Sequence, residues 1–223
     1  MPAIITYDHP HLKTEQLVHA LLARGETVDA LYALPFTPRP ARPVLFAHRP
    51  DQSEAAHPKR IARAQGLRFV PAASAQALAI DEDEALIAIG CLIPEHVLRA
   101  TRILNVHAGI IPACRGLDAF KWALLDGKPL GVTLHRIDAD IDMGDIHHVS
   151  PTPVYPDDTP ERLARRHYEN ELEVLAGYAR WRDARVDQSH IAPGEARRRM
   201  PRETEQRMLE AFPAYVEAFA RAD

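Results

Sequence analysis

The run Leu86-Ile87-Ala88-Ile89-Gly90 is apolar at every position up to its closing glycine, and it is short. A run of this kind reads as a strand buried on both faces, which forces a sheet covered on two sides. A second short run begins at Ile103 and ends in Asn105-Val106-His107-Ala108-Gly109-Ile110-Ile111-Pro112-Ala113-Cys114-Arg115-Gly116. On extended backbone Asn105 and His107 point to the same side. An amide and an imidazole on one face, followed by a loop marked by proline and glycine, is how an open α/β sheet presents a site at its strand ends. The strand-like run Gly131-Val132-Thr133-Leu134-His135 then leads to Asp140-Ile141-Asp142-Met143-Gly144-Asp145-Ile146. This loop brings a carboxylate to the same crevice, so Asn105, His107 and Asp142 form a candidate acyl-transfer centre.

The rest of the chain is consistent with such a sheet. Residues 3–7 read as a first buried strand. A helix follows, with Leu17, Val18, Leu21 and Leu22 on one face and Gly25 just past its end. A second strand lies in residues 27–34. Four prolines in residues 35–43 make a surface loop. Residues 44–47 read as a short strand, Pro58 opens a helix that Gly66 closes, and residues 67–70 form the next strand. Residues 73–79 suit a short helix, and helices are also expected from Pro94 to about residue 100 and over residues 118–126. Residues 130–137 and 146–149 read as an antiparallel pair flanking Asp142. Thr159 and Pro160 make a strong helix start, as N-cap and first helical residue. The apolar spacing from Ala164 through Tyr168, Leu172, Leu175 and Ala179 extends that helix over the sheet. The last amphipathic segment, about residues 203–220, contains Pro213, so a kink or two short helices are expected. Strands alternating with helices in the first half predict an α/β fold with a Rossmann-like, mostly parallel sheet flanked by helices and a helical C-terminal tail. Residues 1–182 would form the catalytic domain and residues 183–223 a helical extension.

Composition removes several functional classes. With 223 residues, a formal charge of −4 and no long basic run, nucleic acid is not an expected partner. No apolar stretch reaches membrane-spanning length and no signal pattern opens the chain, so a cytoplasmic location is expected. Two cysteines, Cys91 and Cys114, make no disulfide framework. Cys91 reads as a small core residue, and nothing in the sequence marks Cys114 as an activated thiol. The first strand runs into Asp8-His9-Pro10-His11, which is not a dinucleotide fingerprint, and there is no phosphate loop of the Walker type. His147 and His148 are adjacent and on a strand would face opposite ways, so no metal site is expected.

The order Asn-x-His, Ile-Pro-x-x-Arg-Gly, Gly-Val-Thr-x-His, Asp-x-Gly resembles the folate-dependent formyltransferase family. The motifs fall on Asn105, His107, Ile111-Pro112, Arg115-Gly116, Gly131 to His135 and Asp142-Met143-Gly144. Ile111 stands where the family usually has leucine. The resemblance implies Asn105, His107 and Asp142 as the catalytic set and 10-formyltetrahydrofolate as the formyl donor. It also implies that the donor's pterin end would lie against Gly90, Cys91 and Leu92 and against Asp138, Ala139, Asp140 and Ile141. The chemistry suits these residue types. A neutral amine attacking a formyl carbon generates an oxyanion, to which Asn105 and a protonated His107 could donate. Asp142 beside His107 would raise the imidazole's pKa and help relay the amine's proton.

Within that family the chain is most similar to the short sugar N-formyltransferases, some of which share an Arg-Gly-x-x-x-x-x-Trp-Ala-Leu run, here residues 115–124. The implied acceptor is a small-molecule amine, an amino deoxy sugar linked to a nucleotide, in surface-polysaccharide biosynthesis. His9, His11, His48, Arg49 and Arg115 are the candidate contacts to it. Methionyl-tRNA formyltransferases carry a further basic C-terminal domain, which the length and acidity of this chain do not lead us to expect here. Glycinamide ribonucleotide transformylases have a glycine-rich phosphate loop where this chain has Asp8-His9-Pro10-His11. A glycinamide ribonucleotide-type transformylase, a formyltetrahydrofolate hydrolase and a non-catalytic folate or sugar-nucleotide binder stay open as alternatives. A homodimer through the tail or a sheet edge is one assembly open to it.

Overall fold

The computed structural model describes residues 1–38, 43–138 and 142–221. Its strands are β1 (Ala3–Tyr7), β2 (Ala30–Leu34), β3 (Arg68–Pro71), β4 (Glu84–Ile87), β5 (Arg102–His107), β6 (Arg115–Gly116), β7 (Gly131–Arg136), β8 (Ile146–Pro151) and β9 (Ala196–Arg197). Seven of them form one sheet in the order β3-β2-β1-β4-β5-β7-β8. The first five are parallel, whereas β7 runs antiparallel to β5 and β8 antiparallel to β7. The chain leaves β1 toward β2 and β3, then returns to β4 on the other side of β1. That reversal opens a crevice at the carboxyl ends of the parallel strands.

Helices α1 (Leu12–Ala23), α2 (Pro58–Gln65) and α5 (Pro160–Ala176) cover one face, where Leu17, Ile61 and Leu175 pack on Ile4, Leu86 and Leu104. The short helix α3 (Glu95–Ala100) lies on the other, with Val97 against Ile5, Ile87 and Ile103. Both faces of β4 are therefore covered, as its unbroken apolar run requires. A third core joins α4 (Ala119–Leu125) to α6 (Arg202–Phe219) through Phe120, Leu124, Leu163, Met208 and Phe212.

Local signals placed most helix ends. Thr159 caps α5 by accepting from the Arg162 N–H, with Pro160 in the first turn, and Gly66 ends α2 in the left-handed region at φ 68°. Three expectations need correction. Residues 44–47 form no strand, because Leu45 and Phe46 use their backbone to hold a buried ion pair instead. Residues 73–79 yield only a 3-10 turn at Ala75–Ala77. At Pro213 the alternative of two short helices is corrected, since one continuous helix runs from Arg202 to Phe219. Burying Met208, Phe212, Tyr215 and Val216 contributes about 1.5–3 kcal/mol each, and together they outweigh the ~3 kcal/mol cost of an internal proline.

Candidate functional site at the end of strand β5

Alternation along β5 puts Asn105 and His107 on one face, opposite His135 and Thr133 of β7. The hydroxyl of Thr133 ties the following loop down. It donates to the carbonyl of Gly109 at 2.8 Å and accepts from the Ile111 N–H at 3.2 Å. The loop, which includes a cis Ile111–Pro112 bond, then turns back beneath the imidazole of His107. His107 Nε2 lies 2.8 Å from the carbonyl of Cys114. A carbonyl only accepts, so Nε2 carries the proton. The other ring nitrogen, Nδ1, lies 3.4 Å from Asp142 Oδ1. Asp142 sits at φ 51° and accepts from the Gly116 N–H at 2.7 Å through Oδ2. The loop after His107 therefore supplies one contact to the imidazole and one to the carboxylate. Asn105 donates its amide to His135 Nε2 at 3.2 Å. His135 Nδ1 is buried and makes no hydrogen bond of its own.

Electrostatics correct one expectation. His107 is buried, and its pKa lies below the ordinary 6.5: desolvation outweighs the opposing pull of Asp142. The ring is neutral at neutral pH and is not the standing proton donor that an adjacent aspartate alone suggests. Burial, with His107 beside it, pushes His135 down to about 4.

A second polar cluster was not foreseen. Lys13 of α1 and Glu171 of α5 form a buried ion pair, which Arg49 joins at 2.6 Å. Burial alone would raise the Glu171 carboxyl, but Arg49 and Lys13 hold it down at about 2. His167 spans from this cluster to the site, with Nε2 3.4 Å from the carbonyl of Ala108 and Nδ1 2.8 Å from the Thr152 hydroxyl. Glu171 stands among the apolar positions of α5, three residues after Tyr168 and four before Leu175. That out-of-pattern charge was the available signal. His135 ends the Gly131-Val132-Thr133-Leu134-His135 run, which does carry a sequence signal. The Cys114 carbonyl and Gly116 N–H have no side-chain signature.

The other candidate residues are spread around this centre. Gly90 follows β4, exposed, and its carbonyl accepts from the Tyr7 hydroxyl at 2.9 Å. Burial pushes the Cys91 thiol up to about 11, so it is no nucleophile. Leu92 is 82% exposed and Met143, next to Asp142, 40% exposed. Asp138 is exposed, while Ala139, Asp140 and Ile141 lie outside the described residues. His9 packs on Phe36, with ring centroids 4.2 Å apart. His11 is spent on structure: its Nδ1 accepts from the Thr14 N–H as the N-cap of α1, and burial lowers its pKa to about 4. His48 stacks on Phe120 at 5.8 Å and burial drives its pKa well down. Arg49 faces Glu171 and the Tyr168 ring, and Arg115 donates to the carbonyl of Gly194 at 3.3 Å.

A doubly wound sheet with an amide, an imidazole and a carboxylate gathered at one strand end defines the general class. The formyl transferase family profile matches residues 41–178, and the chain belongs to that family. The formyl transferases take the formyl group from 10-formyltetrahydrofolate. The methionyl-tRNA formyltransferase of Solibacter usitatus is 30% identical over 158 residues, which cover 67% of this chain and 49% of that protein. The chain spans about half or less of the length of the curated relatives it matches. Among solved structures, a sugar N-formyltransferase from Shewanella aligns with 95% of this chain and 87% of its own, at a TM-score of 0.60 and 16% identity. A phosphoribosylglycinamide formyltransferase from Anaplasma phagocytophilum aligns with 79% and 83%, at a TM-score of 0.57 and 22% identity.

Proposed function

We propose that this chain moves a formyl group from 10-formyltetrahydrofolate to the amine of a nucleotide-linked amino deoxy sugar, in surface-polysaccharide biosynthesis. The observation carrying the sugar reading is coverage. The Shewanella sugar enzyme aligns with almost the whole chain, the tail included, while the glycinamide enzyme aligns with 79% of it. In this reading the amine nitrogen attacks the formyl carbon, the bond from that carbon to the folate nitrogen breaks, and the amine's proton ends on the departing nitrogen. Asn105 donates an amide N–H to the oxyanion that develops on the formyl oxygen. His107, neutral at the start, takes up the proton. The Nδ1–Asp142 contact becomes a hydrogen bond when a proton sits between the two atoms. Arg49, with a guanidinium held at the edge of the buried cluster by Glu171, is the natural contact for an acceptor's phosphate. Residues 1–182 carry the chemistry and residues 183–223 complete the loop under the site.

Tetrahydrofolate release, followed by absorbance with a panel of amines, tests this. The panel holds nucleoside-diphosphate amino sugars, glycinamide ribonucleotide and methionyl-tRNA. Turnover confined to an amino sugar and lost in His107→Ala is expected. Turnover on either other amine reassigns the acceptor, and release without any amine identifies a hydrolase. Folate binding with no turnover across the panel would sink the catalytic reading.

A further inference from the structure

Residues 194–200 of the tail run across the loop under the site. The Gly194 N–H donates to the carbonyl of Pro112 at 2.8 Å, and Arg115 reaches the carbonyl of Gly194. Strand β9 then pairs in parallel with β6, and the Leu117 N–H donates to the carbonyl of Arg197 at 2.8 Å. Asp118 accepts from the Met200 N–H at 3.0 Å and from Arg199 at 3.4 Å. The Trp122 indole donates to the carbonyl of Arg198 at 2.9 Å, with the Arg197 guanidinium 4.6 Å over its ring. Two glycines make this approach possible. A Cβ on Gly194 would meet the carbonyl oxygen of Ala113 at 2.2 Å, and one on Gly116 (φ +86°) would meet that of Arg197 at 2.2 Å.

The clasped loop is the one whose Cys114 carbonyl accepts from His107 and whose Gly116 N–H donates to Asp142. Both contacts come from backbone, so they depend on where the loop lies and on nothing else. Below the clasp, a buried ion pair fastens the tail to α4: Lys121 is 2% and Glu205 1% exposed at the side chain. We propose that residues 194–200 are a positioning element for the reaction, with Gly194 and Arg197 setting the imidazole tautomer of His107 and the orientation of Asp142 through the 112–118 loop. This rests on the reading of His107 and Asp142 as the reacting pair. A misplacement of about 1 Å at such a pair costs up to ~10²-fold in rate, so the tail controls turnover without touching substrate.

The test uses the full chain and two variants, Gly194→Val and Arg197→Pro. The second removes a backbone donor from β9. Hydrogen exchange of residues 112–118, the ring nitrogen NMR signals of His107, and the pH profile of kcat with 10-formyltetrahydrofolate and a nucleoside-diphosphate amino sugar are measured. Faster exchange in the loop, a changed His107 tautomer signal, kcat down about 10- to 100-fold with KM within about threefold, and a displaced pH profile are expected. A loop that opens while the His107 signals and the profile stay as in wild type overturns the proposal. So does a loop whose exchange neither variant alters. In the unmodified chain the Leu117 and Gly194 amides should open together, and independent opening overturns it even where a variant fails to fold. If His107→Ala keeps its turnover, the reading of the reaction falls, while the exchange and ring signals still judge the clasp.

Discussion

At the scale of single residues, the site depends on where each proton sits. The amide of Asn105 spends one N–H on His135, and in the proposed reaction the other donates to the developing oxyanion. Replacing Asn105 by alanine should lower kcat by about 10²–10³-fold, as loss of one such donor typically does. Replacing His135 by alanine keeps the donor but frees its orientation. A fall in kcat of up to ~10²-fold with little change in KM is expected from steady-state kinetics, and a changed KM with intact kcat would contradict this role. The buried histidines also set a pH dependence. His135 and His167 are held at about 4, against 6.5 for an exposed ring. Between those values the unfolded chain binds protons that the folded chain refuses. Stability is therefore complete above pH 6.5 and is lost as pH falls toward 4, by up to ~1.4 kcal/mol per pH unit for each ring. Urea midpoints from pH 7 to 4.5 should fall along that line and fall less steeply in His167→Gln.

Two buried ion pairs hold the elements together, each joining segments far apart in the chain. Lys13 and Glu171 link α1 to α5, and Lys121 and Glu205 link α4 to α6. The second is closed by backbone, since Phe46 accepts from Lys121 and Leu45 donates to Glu205. Removing one partner of such a pair leaves a charge in a dry site and costs about 3–5 kcal/mol, whereas replacing both by apolar groups is close to neutral. Glu205→Leu should accordingly lower the denaturation midpoint far more than Lys121→Met with Glu205→Leu together. Equal losses in the single and double variants would show that packing, not charge, governs this contact. The elements themselves were largely legible beforehand, because a cap such as Thr159, a stop such as Gly66 and the period of an apolar stripe are local. The miss at residues 44–47 came from a partner more than 150 residues away. The miss at Pro213 came from burial, which no window of sequence reports.

For the whole molecule, the tail belongs to the same body as the sheet. It covers Phe120, Leu124 and Leu163 with Met208, Phe212 and Val216. Ending the chain at residue 198 should expose the apolar surface of Phe120, Leu124 and Leu163, and aggregation or strong binding of a hydrophobic dye is expected. A soluble, dye-negative product with unchanged melting would show that the tail is dispensable to folding. No helix among the described residues is long and apolar enough to cross a membrane.

By itself the sequence determined the alternation of strands and helices, the shared face of Asn105 and His107, and the loop that brings in Asp142. Each of these follows from periods of two or 3.6 residues, or from turn chemistry that acts over a few residues. Only the tertiary structure decided that His107 is neutral, that Glu171 lies buried between Lys13 and Arg49, and that a tail segment some 80 residues away clasps the loop under the site. Desolvation, ion pairing and backbone contact depend on what surrounds a group in three dimensions, and that is set by the whole chain at once.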